Sequence, residues 1–268
     1  MNRKLTIAFA ACLLAFFYQC CVAQAFTADG CGAGSCRDCH ILGKNEAAVL
    51  LSMPEEQIVD LKLAEVPGLW EVDVRQRQQV IPVFIDFSKQ YLINGAVIKI
   101  ADKQDITRER FADLNRIDVS LIPLDDALIV GKPDAPIKII VFDDPQCPYC
   151  LKLHAEMKRV VGQRPDMAFF IKMFPLKSHP EAYERAKAII CAKSLVMLEE
   201  SLAGKNIAPP DCETDQVDKN LELAARLGIS STPTLVLPDG RVMPGYKSAE
   251  EIIRLLEKPI SKEKNIGK

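Results

Sequence analysis

The chain reads as an α+β protein of two domains, an antiparallel sheet preceded by helices and then an α/β domain carrying a helical insertion. Three observations predict this. Between Gly68 and Ile100 the sequence is a series of short β-rich runs separated by turns. From Ile137 to Met173 an apolar β-run, a helical run and a second apolar run follow one another, as in a β-α-β unit. A long helical block from His179 to Leu227 then separates that unit from a closing β-hairpin and helix.

Residues 1–25 read as an export signal: Arg3 and Lys4 open it, Leu5 to Phe17 form its apolar core, and Ala23-Gln24-Ala25 is a small-residue cleavage site. Cleavage is expected after Ala25, placing the mature chain in the periplasm; an uncleaved anchor is the alternative. Cys20 and Cys21 follow Phe17, Tyr18 and Gln19, unlike a lipoprotein signal. Residues 26–268 are long enough for two domains. Losing Arg3 and Lys4 takes the formal net charge from −2 to about −4, and no long basic run suggests nucleic-acid binding. Cys31, Cys36, Cys39, Cys147, Cys150, Cys191 and Cys212 remain. Their odd number in an exported chain implies disulfides and at least one cysteine used otherwise.

The N-terminal domain is expected over 26–104, its first part, 26–53, a cysteine-rich extension. Glu46 to Met53 carries a helical pattern halted at Pro54, and a second helical pattern runs from Glu55 to Ala64. Strands are expected at Leu69–Arg75, Val80–Phe87 and Tyr91–Ile100, the last turning at Asn94-Gly95, a dipeptide that tolerates positive φ. Trp70 and Val83-Phe84-Ile85 read as core or dimer surface. A charged helix, Ile106–Leu114, and the irregular stretch to Leu128 form a linker over 105–128.

The second domain is expected over 129–268. Ile137–Phe142 is apolar on both faces, hence a central strand; a helix follows to Gly162, then a strand at Met167–Met173. The insertion occupies about 176–214, with a helical pattern from His179 to Leu202, and another helix runs from Thr214 to Leu227, closed by Gly228. Leu235–Met243 is a hairpin turning on Asp239-Gly240, and Ser248-Ala249-Glu250-Glu251 is a capping box before a final helix, Ile252–Glu257. This order is that of a thioredoxin fold with an inserted helical segment.

Cys147-Pro148-Tyr149-Cys150 lies between the central strand and its helix. A thiol at a helix N-terminus faces unpaired backbone N–H groups and the positive end of the dipole, which stabilise its thiolate. Cys147 is therefore the expected nucleophile and Cys150, one turn deeper, the resolving thiol. Thr232-Pro233 precedes the Leu235 strand; in such folds a cis-proline there lies against the redox pair and its backbone receives a substrate strand. Asp143 and Asp144 read as solvated or capping groups, with a proton relay for Cys150 as the alternative, and His154, one turn beyond Cys150, as a helix-surface residue, with a positive imidazole that perturbs the thiolate as the alternative.

Three motifs carry a family resemblance: Phe142-Asp143-Asp144-Pro145-Gln146-Cys147-Pro148-Tyr149-Cys150-Leu151-Lys152-Leu153-His154, Ser231-Thr232-Pro233-Thr234-Leu235-Val236-Leu237, and Val242-Met243-Pro244-Gly245-Tyr246. Over approximately residues 54 to 258 the chain resembles the periplasmic disulfide isomerases of the DsbC/DsbG type. The resemblance implies a cystatin-like N-terminal dimerisation domain, a linker helix and a thioredoxin-like domain with a helical insertion. It also implies a homodimer around an apolar cleft and a structural disulfide between Cys191 and Cys212. Misfolded disulfide-containing clients and a membrane thiol reductant of the DsbD type would be its partners. Pro148-Tyr149 matches the DsbG-like pattern rather than the DsbC-like one.

Cys31 and Cys36-Arg37-Asp38-Cys39-His40 lie outside the family's usual N-terminus. Cys-x-x-Cys-His is the c-type haem attachment pattern, with Cys36 and Cys39 as thioether sites and His40 as proximal ligand. A local disulfide is the alternative, and no metal site is expected because exported cysteines oxidise. The expected function is a periplasmic thiol:disulfide isomerase needing no cofactor. The competing readings are a DsbA-like thiol oxidase, a cleft-based chaperone and a haem-bearing redox protein.

Overall fold

The computed structural model describes residues 40–257. These divide into two compact units, one of residues 40–77 with 82–95, the other of residues 78–81 with 96–257. No helix among the described residues is long and apolar enough to cross a membrane.

The first unit opens with helix α1, Lys44–Leu50, and a single 3-10 turn at Glu55–Gln57. Strands β1 (Ile58–Leu63), β2 (Leu69–Gln76), β3 (Gln79–Asp86) and β4 (Leu92–Ile93) form a sheet in that order. The helix expected over Glu55–Ala64 is thus largely a strand. Ile58-Val59-Asp60-Leu61-Lys62-Leu63 is rich in apolar and β-branched residues, and pairing with β2 supplies its hydrogen bonds. Within the pair, Lys62 lies opposite Glu71 and binds it at 3.2 Å. Trp70, Val72, Val74, Val83, Phe84 and Ile85 are buried, as core.

The turn to β4 also falls elsewhere than expected. The Asp86 carboxylate accepts from the backbone N–H groups of Ser88, Gln90 and Tyr91, fixing the loop before Leu92. Beyond Asn94-Gly95 the β-structure is a single bridge, Ile98 to Asp105.

The second unit holds a five-stranded sheet. Its strands are β5 (Leu128–Gly131), β6 (Ile137–Asp143), β7 (Met167–Met173), β8 (Thr234–Val236) and β9 (Val242–Pro244), in the order β5-β7-β6-β8-β9. Only β6 and β7 run parallel, and the crossover between them is helix α3, Pro148–Gln163. The remaining helices are α2 (Ile106–Leu114), α4 (Ala182–Ala192), α5 (Leu195–Leu202), α6 (Gln216–Arg226) and α7 (Ala249–Glu257).

Strand alternation separates two apolar layers. Ile139 and Val141 of β6 face a core shared with Leu153, Met157 and Val160 of α3 and with Ile252 and Leu255 of α7. Ile140 and Phe142 face the opposite layer, with Leu223 and Ala224 of α6. The helical stretch expected over His179–Leu202 is two helices. Lys193 takes a left-handed φ of 45° at the end of α4, and the Ser194 hydroxyl caps α5 by accepting from Met197 N–H at 3.2 Å.

Segment 105–128, read from sequence as a linker, lies within the second unit. Asp105 caps α2 by accepting from Arg108 N–H, Ala112 is buried in the α3-side core, and Ile122 in the other. The Ile117 N–H donates to Gly240 O at 2.9 Å, so this stretch is fastened to the turn between β8 and β9.

Candidate active site

Cys147 caps α3 and Pro148 occupies its first turn, where a missing N–H leaves no bond unmade. Both Cys147 and Cys150 are free thiols and buried, Cys147 with 5% of its surface exposed and Cys150 with none. The Thr232–Pro233 peptide bond is cis, and Cys147 Sγ lies 3.6 Å from Thr232 O. The structure therefore brings together all four residues expected here, Cys147, Cys150, Thr232 and Pro233. Pro233 O is held by the Gly245 N–H at 2.8 Å.

The two thiols are electrostatically opposite. Cys147 is lowered from 9.0 to about 6, chiefly because the Cys150 thiol donates to its thiolate. Thr232 and the backbone N–H groups of Cys150 and Tyr149 add to this, against the opposing effect of burial. Cys150 is raised far above the ordinary thiol range, first by burial, then by its bond to Cys147 and by the Asp143 carboxylate. One thiolate and one held proton is the arrangement for a nucleophile with a resolving partner.

Three residues for which the sequence reading preferred a bland role belong to this site. Asp143 and Asp144, read as solvated or capping, are fully buried, and His154, read as surface, is 4% exposed. Asp143 ends β6 on the face of Ile139 and Val141, and its Oδ2 accepts from His154 Nε2 at 2.7 Å. The Asp144 carboxylate gathers the N–H groups of Gln146 (2.7 Å) and Leu176 (2.6 Å) and the His179 Nδ1–H (2.8 Å). Gln146 Oε1 accepts from Glu181 N–H, and Ser201 Oγ donates to Pro145 O. The loop before Cys147 is thereby tied to the helical insertion. Two signals were available: the strand alternation 139, 141, 143, and the four-residue spacing from Cys150 to His154 that shares one helix face.

Cys191 and Cys212 form a disulfide joining α4 to the segment before α6. Cys31, Cys36 and Cys39, with the signal segment, lie outside the described residues. His40 is described, and its ring stacks on Phe87 with centroids 4.3 Å apart.

A family model described as a thioredoxin-like domain matches residues 124–259, just over half of the chain. A protein of Bordetella avium described as a probable thiol:disulfide interchange protein DsbC is 28% identical over 205 residues, 73% of this chain and 70% of that one. The thiol:disulfide interchange protein DsbC of Salmonella typhimurium is 35% identical over 137 residues, 50% of this chain and 56% of its own length. The chain thus spans little more than half of that relative. The crystal structure of a disulfide interchange protein from Neisseria gonorrhoeae aligns with 29% identity and a TM-score of 0.42, covering 50% of this chain and 96% of that one.

Proposed function

Because the chain belongs to the thioredoxin-like domain family and is of the DsbC type of thiol:disulfide interchange protein, we propose that it is a homodimeric periplasmic disulfide isomerase and reductase. One observation carries the reading: a thiol lowered to about 6 at a helix N-terminus, beside a buried thiol raised out of the ionising range. The Cys147 thiolate attacks a wrong client disulfide, forming a Cys147–client bond while the displaced client sulfur leaves as a thiolate. Attack by another client thiolate completes an isomerisation. Attack by Cys150 instead closes the Cys147–Cys150 disulfide and leaves the client reduced, so a membrane thiol reductant of the DsbD type must restore the dithiol. Thr232 and Pro233 present backbone to the client strand next to the reactive sulfur.

The isomerase reading takes its support from the four-stranded sheet of the first unit, which we read as the dimerisation domain. Tyr91, Leu92 and Ile93 are exposed at its β4 edge, an apolar strand edge of the kind that pairs with a second copy. Refolding of a scrambled multi-disulfide client tests it: the intact chain restores native pairing, and Cys147→Ala abolishes the activity. A monomer that only oxidises reduced clients is a DsbA-like oxidase instead. Aggregation suppression surviving loss of both thiols marks a chaperone. Covalent haem at Cys36 and Cys39 rests on their pattern with His40, and exported material without a Soret band removes it.

A further inference from the structure

Lys247 is 3% exposed, and the mechanism above gives it no part. Its position is unfavourable twice over. It stands immediately before α7, whose first turn is capped by Ser248 Oγ accepting from Glu251 N–H, so its charge meets the positive end of a helix dipole. Burial also takes the ammonium out of water and pulls it below the ordinary lysine range, in spite of the Glu251 charge. The nearest Glu251 carboxylate oxygen lies 3.9 Å away, beyond hydrogen-bond reach. A buried and incompletely paired cation costs stability that an apolar side chain of the same length would not, so Lys247 calls for a role in function.

What Lys247 holds is the turn beside the cis-proline. Its Nζ–H groups donate to Pro244 O at 3.1 Å and to Tyr246 O at 3.3 Å, the carbonyls on either side of Gly245. Gly245 turns at φ +83°, and its N–H donates to Pro233 O at 2.8 Å, one bond beyond the Thr234–Pro244 pair that ends the ladder of β8 and β9. The same turn is fastened to the redox helix α3. Tyr246 Oη–H donates to Glu156 Oε1 at 3.1 Å, and Ala249 N–H to Glu156 Oε2 at 2.9 Å. A chain of bonds thus runs from Lys247 through the Gly245 turn to Pro233, whose neighbour Thr232 presents its carbonyl oxygen 3.6 Å from Cys147 Sγ.

We propose that Lys247 is a positioning residue for extended clients: it fixes the turn 244–247, and with it the backbone of Thr232 and Pro233 that a client strand pairs with beside Cys147. The inference rests on the role proposed above for those two residues. The Lys247 ammonium bonds within the turn, so it acts through Pro233 and not on the sulfurs. A backbone receptor binds well only if its polar groups already point where the strand arrives, because ordering them during binding weakens the complex. A disulfide without a peptide backbone makes no use of that receptor. Lys247 therefore matters for one kind of substrate and not for the other.

The test compares two probes on the full chain carrying Cys150→Ser, so that the first adduct accumulates. One is hydroxyethyl disulfide, and the other is the disulfide-linked dimer of an extended peptide with one central cysteine. With either probe Cys147 Sγ bonds to one sulfur, and the other sulfur leaves as a thiolate with the electron pair of the broken bond. Rates are read by acid quench and mass analysis and scaled to the rate of each probe with free cysteine. Lys247→Met, which keeps the apolar stem, should lower the peptide rate about tenfold, the scale of a lost hydrogen bond from a charged donor, and leave the hydroxyethyl rate unchanged. That second rate also reports that the variant is folded. Lys247→Gln, which keeps an N–H donor, should recover most of the peptide rate, and failure to recover any overturns the hydrogen-bond account. A parent ratio of the two rates in Lys247→Met overturns the proposal, whether both rates are kept or both fall together as for a merely structural lysine. Equal scaled rates for the two probes on the chain with Lys247 intact remove the strand receptor, and the proposal with it. Absence of an adduct with either probe overturns the exchange reading itself.

Discussion

Three positions apart, Cys147 and Cys150 ionise in opposite ways because the Cys150 thiol donates to the Cys147 thiolate while burial holds the Cys150 proton in place. At the residue scale the first expectation follows directly. Alkylation of Cys147 by a neutral reagent should rise with pH about a midpoint near 6, while Cys150 stays unreactive until the fold opens. The nucleophile was legible because a helix start after an apolar strand is a local pattern. For Asp143 and His154 a role at the thiols could be raised but not chosen over a surface one, because an acidic residue before a helix and a histidine within one carry the same letters whether buried or exposed. A further residue-scale expectation concerns Gly240, which turns at φ +87° and has no room for a side chain: an added Cβ would lie 2.2 Å from Ile117 O. Gly240→Ala should lower stability by at least about 2 kcal/mol in urea unfolding, from left-handed backbone strain and the clash together.

At the scale of elements, α3 is held over the sheet by Leu153, Met157 and Val160, all fully buried, and this packing keeps Cys150 dry. Leu153→Ala should cost about 3 kcal/mol and loosen the site, measured as lower stability and faster Cys150 alkylation. The disulfide Cys191–Cys212 closes a loop of sequence separation 21. Replacing both cysteines by Ala should cost about 3 kcal/mol in chemical unfolding while leaving the Cys147 midpoint in place, since the bond restricts the unfolded chain rather than the thiols. Helices α2, α3 and α6 and strands β6 and β7 could be read from periodicity, caps and breakers. Strand β1 could not: Ile58 to Leu63 supports either period, and pairing with β2 decided it. Nor could β5, a four-residue edge strand defined by its partner β7.

For the whole molecule, the thiols make stability depend on pH and redox state. Reduced Cys147 titrates near 6 when folded and near 9 when unfolded, so its stabilising contribution is complete above pH 9 and is lost as pH falls through 6. Cys150, raised instead, is protonated in both states up to about pH 8, and above that its ionisation in the unfolded chain opposes folding. The reduced form should therefore gain on the disulfide form as pH rises from 6 to 8, read as the difference in their urea midpoints. Sedimentation of the mature chain tests the proposed dimer, and polar substitution of Leu92 and Ile93 should weaken it. By itself the sequence determined the order of the elements from β6 to α7 and the placement of the redox pair before a helix. Those signals are written in neighbouring residues. Only the tertiary structure decided that 58–63 is a strand, that 105–128 packs into the second unit, and that Asp143, Asp144 and His154 are buried at the thiols. Burial and strand pairing are set by partners far away in the chain, and no local pattern carries them.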